Sequence, residues 1–162
     1  MQAVVMAGGE GTRLRPLTTN RPKPMVPVVN KPMLEHTLEL LKQHGFQDVV
    51  LTLHYMPNII QDYFQDGEEF GVNLTYLVED KPLGTAGGVK NAERFLDDTF
   101  VVFSGDVLTD IDLSKALSFH KKAGSVATIA LTRATNPTDY GIVITQDNGR
   151  IKKFLEKPGW GE

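Results

Sequence analysis

The chain has no cysteine among its 162 residues. That excludes disulfides and thiolate metal sites and suits a reducing compartment, so a cytoplasmic location is expected. There is no apolar run approaching the roughly 20 residues needed to cross a bilayer. No signal-peptide pattern stands ahead of the first strand-like segment, so no membrane role is expected. Positive charge is not in excess either: 17 Lys and Arg against 20 Asp and Glu give a net charge of −3, which speaks against a nucleic-acid-binding surface. Internal repeats, low-complexity tracts and evident linkers are also missing.

What is present is an ordinary globular composition, 41% hydrophobic and 23% charged, in a chain about the size of one domain. The charge is unevenly spread. Residues 1–31 hold Arg13, Arg15, Arg21, Lys23 and Lys31 against Glu10 alone, five cations to one anion, or +4, which leaves −7 on the remainder. A compact basic island in an acidic protein is what an anionic small-molecule site would look like. Solvated surface charges would account for it as well.

The hydrophobic pattern alternates between two periods. "QAVVMA" at residues 2–7 reads as a strand buried on both faces. Met33, Leu34, Leu38 and Leu41 then fall on one face of a helix that stops at Gly45. Residues 48–55 predict a strand, 57–71 a helix opened by Pro57, and 72–79 a third strand. A helix is expected over 84–96, and "TFVVFSGD" at 99–106 reads as the clearest buried strand. Residues 112–124 predict a helix with Asp112 as N-cap and Gly124 as stop. After it the chain turns to strand character at 125–134 and 140–157, with "QDNG" as a hairpin turn. Such alternation predicts an α/β fold, a doubly wound and mostly parallel sheet with helices on both faces. Ligands of these folds bind beyond the C-terminal ends of the strands.

Gly8, Gly9 and Gly11 directly follow the first predicted strand. Three glycines let backbone amides close around an anion without β-carbons in the way. The loop is neither of two familiar phosphate loops. Nothing matches G-x-x-x-x-G-K-[ST], and the third glycine of G-x-G-x-x-G, counted from Gly9, is replaced by Leu14. Arg13 offers a planar bidentate donor for phosphates held by the loop. Pro22 and Pro24 fix the backbone on either side of Lys23. A tight turn leading into a proline-rich surface loop is the plainer alternative.

"GGEGTRLRPLTTNRPKP" resembles the signature of the sugar-nucleotide pyrophosphorylases, the nucleoside triphosphate:sugar-1-phosphate nucleotidyltransferases. Residues 8–23 meet G-G-x-G-T-R-L-x-P-x-T-x-x-x-P-K at every fixed position, and the later segments agree in order. The resemblance implies a Rossmann-like nucleotidyltransferase fold and transfer of a nucleotidyl group from a nucleoside triphosphate to a sugar 1-phosphate, with release of pyrophosphate. It implies nucleotide contacts from Gly8, Gly9, Gly11, Thr12 and Arg13, and catalytic roles for Arg13, Lys23 and Asp106. Asp106 becomes one of two ligands of Mg²⁺, a hard ion that takes carboxylates and substrate phosphates. Asp110 and Asp112 nearby are explained as a loop charge and an N-cap.

By the same resemblance "EDKPLGTAGG" forms the nucleobase pocket, with Glu79, Gly84 and Thr85 at the base. A carboxylate at Glu79 would favour guanine by accepting from two adjacent donors, although a solvated strand end explains it equally. Thr85 can also cap the following helix. Tyr140 and Gly141 are implied against the sugar, Glu156 on its hydroxyls and Lys157 on its phosphate. From the residues alone, Gly141 is a strand glycine and Lys157 a surface lysine.

The wording is most similar to the mannose-1-phosphate guanylyltransferases, which make GDP-mannose from GTP and mannose 1-phosphate. Glucose-1-phosphate uridylyl-, thymidylyl- or adenylyltransferases are the alternative, and a non-catalytic nucleotide-binding domain for regulation or assembly is a third. Residues 1–162 are expected to be the N-terminal part of a nucleotidyltransferase domain that continues further. The second metal-binding aspartate and any homo-oligomer contacts would lie in that continuation.

Overall fold

The computed structural model describes residues 1–159. Its elements in order are β1 (Gln2–Met6), β2 (Pro27–Val28), β3 (Lys31–Pro32), α1 (Met33–Gln43), β4 (Asp48–Leu53), α2 (Pro57–Phe64), β5 (Asn73–Val78), α3 (Gly84–Asn91), β6 (Val101–Ser104), α4 (Leu113–Ala123), β7 (Gly141–Thr145) and β8 (Ile151–Glu156), with short 3₁₀ turns between them. The chain divides into two compact units, Met1–Ser118 and Phe119–Glu162.

The first unit is built on a four-stranded sheet in the order β5-β4-β1-β6 with every pair parallel. Parallel neighbours require crossovers, and the helices that supply them cover both faces. Alternation along β1 sorts its side chains between two cores. Ala3 and Val5 join Leu34, Leu38 and Leu41 of α1, Ile60 and Phe64 of α2, and Leu113. Val4 joins Val50, Leu77 and Ala92, with Val89 of α3 packed alongside. Burying each such aliphatic side chain is worth roughly 1.5–3 kcal/mol, so the central strands are held from both sides. The doubly wound α/β class expected from the sequence is the one observed.

Several element boundaries depart from the sequence pattern. The predicted strand 99–106 shortens to β6 and is only half buried, with Val102 exposed, at the edge of the sheet, where among the described residues it pairs with β1 and no other strand. The most buried strands are β1 and β4 instead. The helix expected over 57–71 ends at Phe64, since Gln65 (φ 49°) and Gly67 (φ 89°) turn left-handed before a 3₁₀ turn at Glu68–Phe70. The helix expected over 84–96 ends at Asn91 and continues as a 3₁₀ turn, Glu93–Phe95. Asp112 caps α4 as expected, its Oδ1 accepting the Lys115 N–H at 2.9 Å.

In the second unit β7 and β8 pair antiparallel, with the "QDNG" turn closed by the Gly149 N–H on the Gln146 carbonyl at 2.9 Å. The strand expected at 125–134 does not form. That stretch is exposed throughout, Val126, Ile129 and Leu131 included, and lies in no ladder among the described residues. Strand propensity without a partner strand does not make a strand.

Candidate functional site

The C-terminal ends of β1, β4, β5 and β6 open onto one cleft of about 580 Å³, lined by Gly8, Gly9, Gly11, Arg13, Lys23, Thr52, His54, Glu79, Gly84, Thr85, Ser104 and Asp106 among others. Of the nine cleft residues that the sequence assigned to nucleotide, catalysis or metal in this unit, Gly8, Gly9, Gly11, Glu79 and Asp106 come from loops that follow these strands, Arg13 and Lys23 from 3₁₀ turns, and Gly84 and Thr85 from the first turn of α3. Of the predicted nucleotide contacts Thr12 alone stands outside the lining, exposed in the 3₁₀ turn Thr12–Leu14.

The glycine loop is seated on Lys23. Gly11 has φ 63°, and a Cβ on it would come within 2.8 Å of Lys23 Cβ and 3.1 Å of Thr18 Cγ2. Glycine is required there by conformation and by space. Thr18, buried to 1% exposure, donates its hydroxyl to the Gly11 carbonyl at 2.9 Å and fixes the loop's far side. Pro22 and Pro24 are both buried, so the Lys23 backbone is anchored on either flank, as the Pro-Lys-Pro pattern predicts. Arg13 faces the same cleft, and its guanidinium has no hydrogen-bond or ion-pair partner among the described residues.

Lys23 is already engaged. Its Nζ donates to Asp106 Oδ2 at 2.6 Å, while Ser104 Oγ donates to Asp106 Oδ1 at 2.6 Å. The two side chains are 32% and 30% exposed. Burial alone would raise the Asp106 carboxyl, but the hydrogen bonds from Lys23 and Ser104 and the ammonium charge outweigh it and hold the group below its ordinary 3.8.

At the end of β5, Glu79 Oε2 accepts the Leu83 N–H at 3.0 Å, and its Oε1 lies where a Cβ on Gly88 would come within 2.9 Å. The carboxylate thus ties the loop that leads into α3, and Gly88 makes room for it. Thr85 does not cap α3. The helix begins at Gly84 and its N-cap is Leu83, whose apolar side chain can form no cap bond, while the Glu79 carboxylate accepts the Leu83 N–H. Gly84 (φ 71°) has open space around it.

In the second unit, Tyr140, Gly141, Glu156 and Lys157 lie together at the open end of the β7–β8 hairpin. Gly141 is opposite Glu156, a Cβ on it would meet Glu156 Oε2 at 3.1 Å, and the Lys157 N–H donates to the Tyr140 carbonyl at 3.2 Å. Tyr140 is 58% exposed.

No three metal-ligating side chains cluster among the described residues. With the Glu79 carboxylate tied to the Leu83 N–H, the carboxylate beside the glycine loop is Asp106, which suits an ion held mainly by substrate phosphates, the habit of Mg²⁺. Thr18, Ser104 and His54 are site residues that the sequence reading did not single out. Thr18 occupies a fixed position of the 8–23 motif, whereas Ser104 and His54 carried no local signal. No helix among the described residues is long and apolar enough to cross a membrane.

Residues 2–160 match the Nucleotidyl transferase family model. The chain is 43% identical to UTP–glucose-1-phosphate uridylyltransferase of Synechocystis over 98% of its own length and 44% of that protein. It is 42% identical to mannose-1-phosphate guanylyltransferase of Mycobacterium tuberculosis, over 97% of its own length and 44% of the relative. The chain therefore spans about half the length of the curated relatives it matches. Among solved structures, a putative glucose-1-phosphate thymidylyltransferase from Bacillus anthracis in complex with a sucrose superposes with TM-score 0.87 at 30% identity, over 98% of this chain and 65% of that one. HddC from Yersinia pseudotuberculosis complexed with GMP-PN gives 0.80 at 28% identity, over 96% and 69%.

Proposed function

Because the chain belongs to the nucleotidyl transferase family, we propose that it carries the nucleotide-binding cleft of a sugar-1-phosphate nucleotidyltransferase, with GTP and mannose 1-phosphate as substrates and GDP-mannose as product. The observation that supports this most is the joint placement of the glycine loop, Arg13, Lys23 and Asp106 around one cavity at the C-terminal edge of a parallel sheet.

In the proposed reaction an oxygen of the sugar phosphate attacks the α-phosphorus in line. A new P–O bond forms, the bond from the α-phosphorus to the bridging oxygen breaks, and pyrophosphate leaves with that electron pair. The chemistry needs positioning and charge neutralisation and no side-chain nucleophile. Glycine-loop amides and Arg13 hold the triphosphate, and Arg13 offsets the charge that grows on the departing pyrophosphate. Lys23 counters the repulsion between the two anionic substrates; in the second unit Lys157 is assigned to the sugar phosphate, and Tyr140, Gly141 and Glu156 to the sugar. Glu79, Gly84 and Thr85 contact the base. Mg²⁺ bound at Asp106 would supply charge neutralisation on the phosphate oxygens.

A uridylyl transfer to glucose 1-phosphate is the second reading, favoured by the Synechocystis relative, whose identity of 43% is no lower than the 42% of the M. tuberculosis guanylyltransferase. Pyrophosphate release by the full-length protein, measured over a matrix of nucleoside triphosphates and sugar 1-phosphates, decides between them. GTP with mannose 1-phosphate is expected to lead. A lead by another pair overturns the base or sugar assignment, and silence throughout overturns the enzymatic reading in favour of a non-catalytic nucleotide-binding domain.

A further inference from the structure

His54 immediately follows β4 and touches both loops that face the cleft. On one side lies the glycine loop, where a Cβ on Gly8 would come within 3.2 Å of both His54 Cβ and the His54 backbone nitrogen. The next residue, Tyr55, donates its N–H to the Gly8 carbonyl at 3.3 Å. On the other side, His54 Nδ1 lies 2.8 Å from the Glu79 carbonyl oxygen. A carbonyl can only accept, so Nδ1 is the protonated nitrogen.

Glu79 is the last point at which the base-side loop is tied to the sheet, its own N–H donating to the Leu53 carbonyl at 2.8 Å. Beyond it residues 80–83 run exposed to the start of α3, held back to Glu79 by the Leu83 N–H on its carboxylate. The orientation of the Glu79 peptide group therefore sets where Gly84 and Thr85 stand relative to Gly8, and the imidazole is the side chain that fixes that peptide.

We propose that His54 is a positioning residue whose Nδ1–H clasps the Glu79 carbonyl and thereby holds the base-side loop at a set distance from the glycine loop, so that a nucleoside triphosphate meets both ends of its site already aligned. The inference rests on the reading of the cleft given above, and it adds a residue outside the predicted contact set.

Two substitutions separate the ring's two nitrogens. In His54→Asn the side-chain amide nitrogen can take the place of Nδ1, whereas His54→Gln places its amide nearer the Nε2 position, and His54→Leu supplies neither. In the full-length protein, His54→Leu and His54→Gln are expected to raise KM for the nucleoside triphosphate about five- to tenfold, the size of one lost hydrogen bond. Turnover should stay within about twofold, and binding of inorganic tripolyphosphate, which has no base, should not change. His54→Asn should recover most of the loss. Amide exchange over residues 80–85 should quicken in the Leu and Gln variants and not in Asn. Equal impairment of Asn and Leu, a parallel loss of tripolyphosphate binding, or unchanged KM in all three would each overturn the clasp. If the unaltered protein bound no nucleotide, the reading of the cleft would fail, and the exchange pattern alone would then uphold or overturn the clasp.

Discussion

On the proposed function Lys23 and a divalent cation would compete for the Asp106 carboxylate, and the competition can be measured without any turnover. Lys23 Nζ sits 2.6 Å from Asp106 Oδ2 with the pair about one-third exposed. A charge-assisted hydrogen bond of this kind is worth about 1.5–3 kcal/mol net when well shielded. Discounted for solvent screening, roughly 1–1.5 kcal/mol remains. A cation that binds Asp106 must displace the ammonium and lose that contribution. Lys23→Met, which keeps the stem and removes the charge, is therefore expected to tighten Mn²⁺ binding to the nucleotide-free protein by about tenfold, read from the electron paramagnetic resonance of free Mn²⁺. The same variant moves the Asp106 carboxyl upward, because burial remains as the raising influence when the two contributions of Lys23 are gone. The sign of the stability effect follows. A carboxyl held below 3.8 in the folded state stabilises the protein above that pH and loses the contribution as pH falls through the folded value. In Lys23→Met the acid-unfolding midpoint should shift to higher pH. Mn²⁺ affinity unchanged or weakened in the variant would refute the competition.

Two further outcomes test the cleft from other directions. Arg13→Ala is expected to lower turnover by about 10²-fold or more with the thermal midpoint unchanged, since the guanidinium has no partner among the described residues whose loss could destabilise the fold; an unchanged rate would remove Arg13 from the proposed chemistry. Gly11→Ala combines a left-handed φ of 63° with a Cβ 2.8 Å from Lys23 Cβ, and should cost about 2–4 kcal/mol in denaturant unfolding; a loss below about 0.5 kcal/mol would show that the loop does not need glycine there.

The legible parts of this molecule are those set by local rules. β1 and β4 could be read because strands buried on both faces are continuous apolar runs, and α1 because Leu34, Leu38 and Leu41 recur at helical spacing. The glycine loop could be read because Gly11 needs its φ whatever lies around it. The β2–β3 hairpin left no signal, because its two turn residues, Val29 (φ 50°) and Asn30 (φ 65°), include a β-branched side chain that sequence rules place anywhere but there. The segment 125–134 misled in the opposite sense, having strand composition and no partner strand. Side-chain pairings between distant positions were equally hidden. His54 meets Glu79 across 25 positions and Lys23 meets Asp106 across 83, and neither partner announces the other. Glu79 illustrates the limit well: its position in the cleft was legible, but the binding of its carboxylate to Leu83 was not.

Two cations of the glycine-loop motif, Arg13 and Lys23, therefore stand in different states. Arg13 is uncommitted among the described residues, while Lys23 is neutralised by Asp106. Paired in this way, Lys23 and Asp106 leave the part of the cleft beside the glycine loop with about the charge of Arg13. In the proposed reaction a polyanion would meet that single net positive charge and the loop amides first. Asp106 would hold the cation, which would supply charge neutralisation, and the Lys23 ammonium, released from the pair, would be available to the phosphates. Neutral pairing at rest also avoids leaving a half-buried carboxylate alone, which would be costly. The anchoring prolines on either side hold the Lys23 backbone fixed, so the exchange requires only rotation of its side chain. On the proposed function one ion pair would thus serve both the stability of the empty cleft and the charge balance of the filled one, and the Mn²⁺ titration of Lys23→Met separates the two roles.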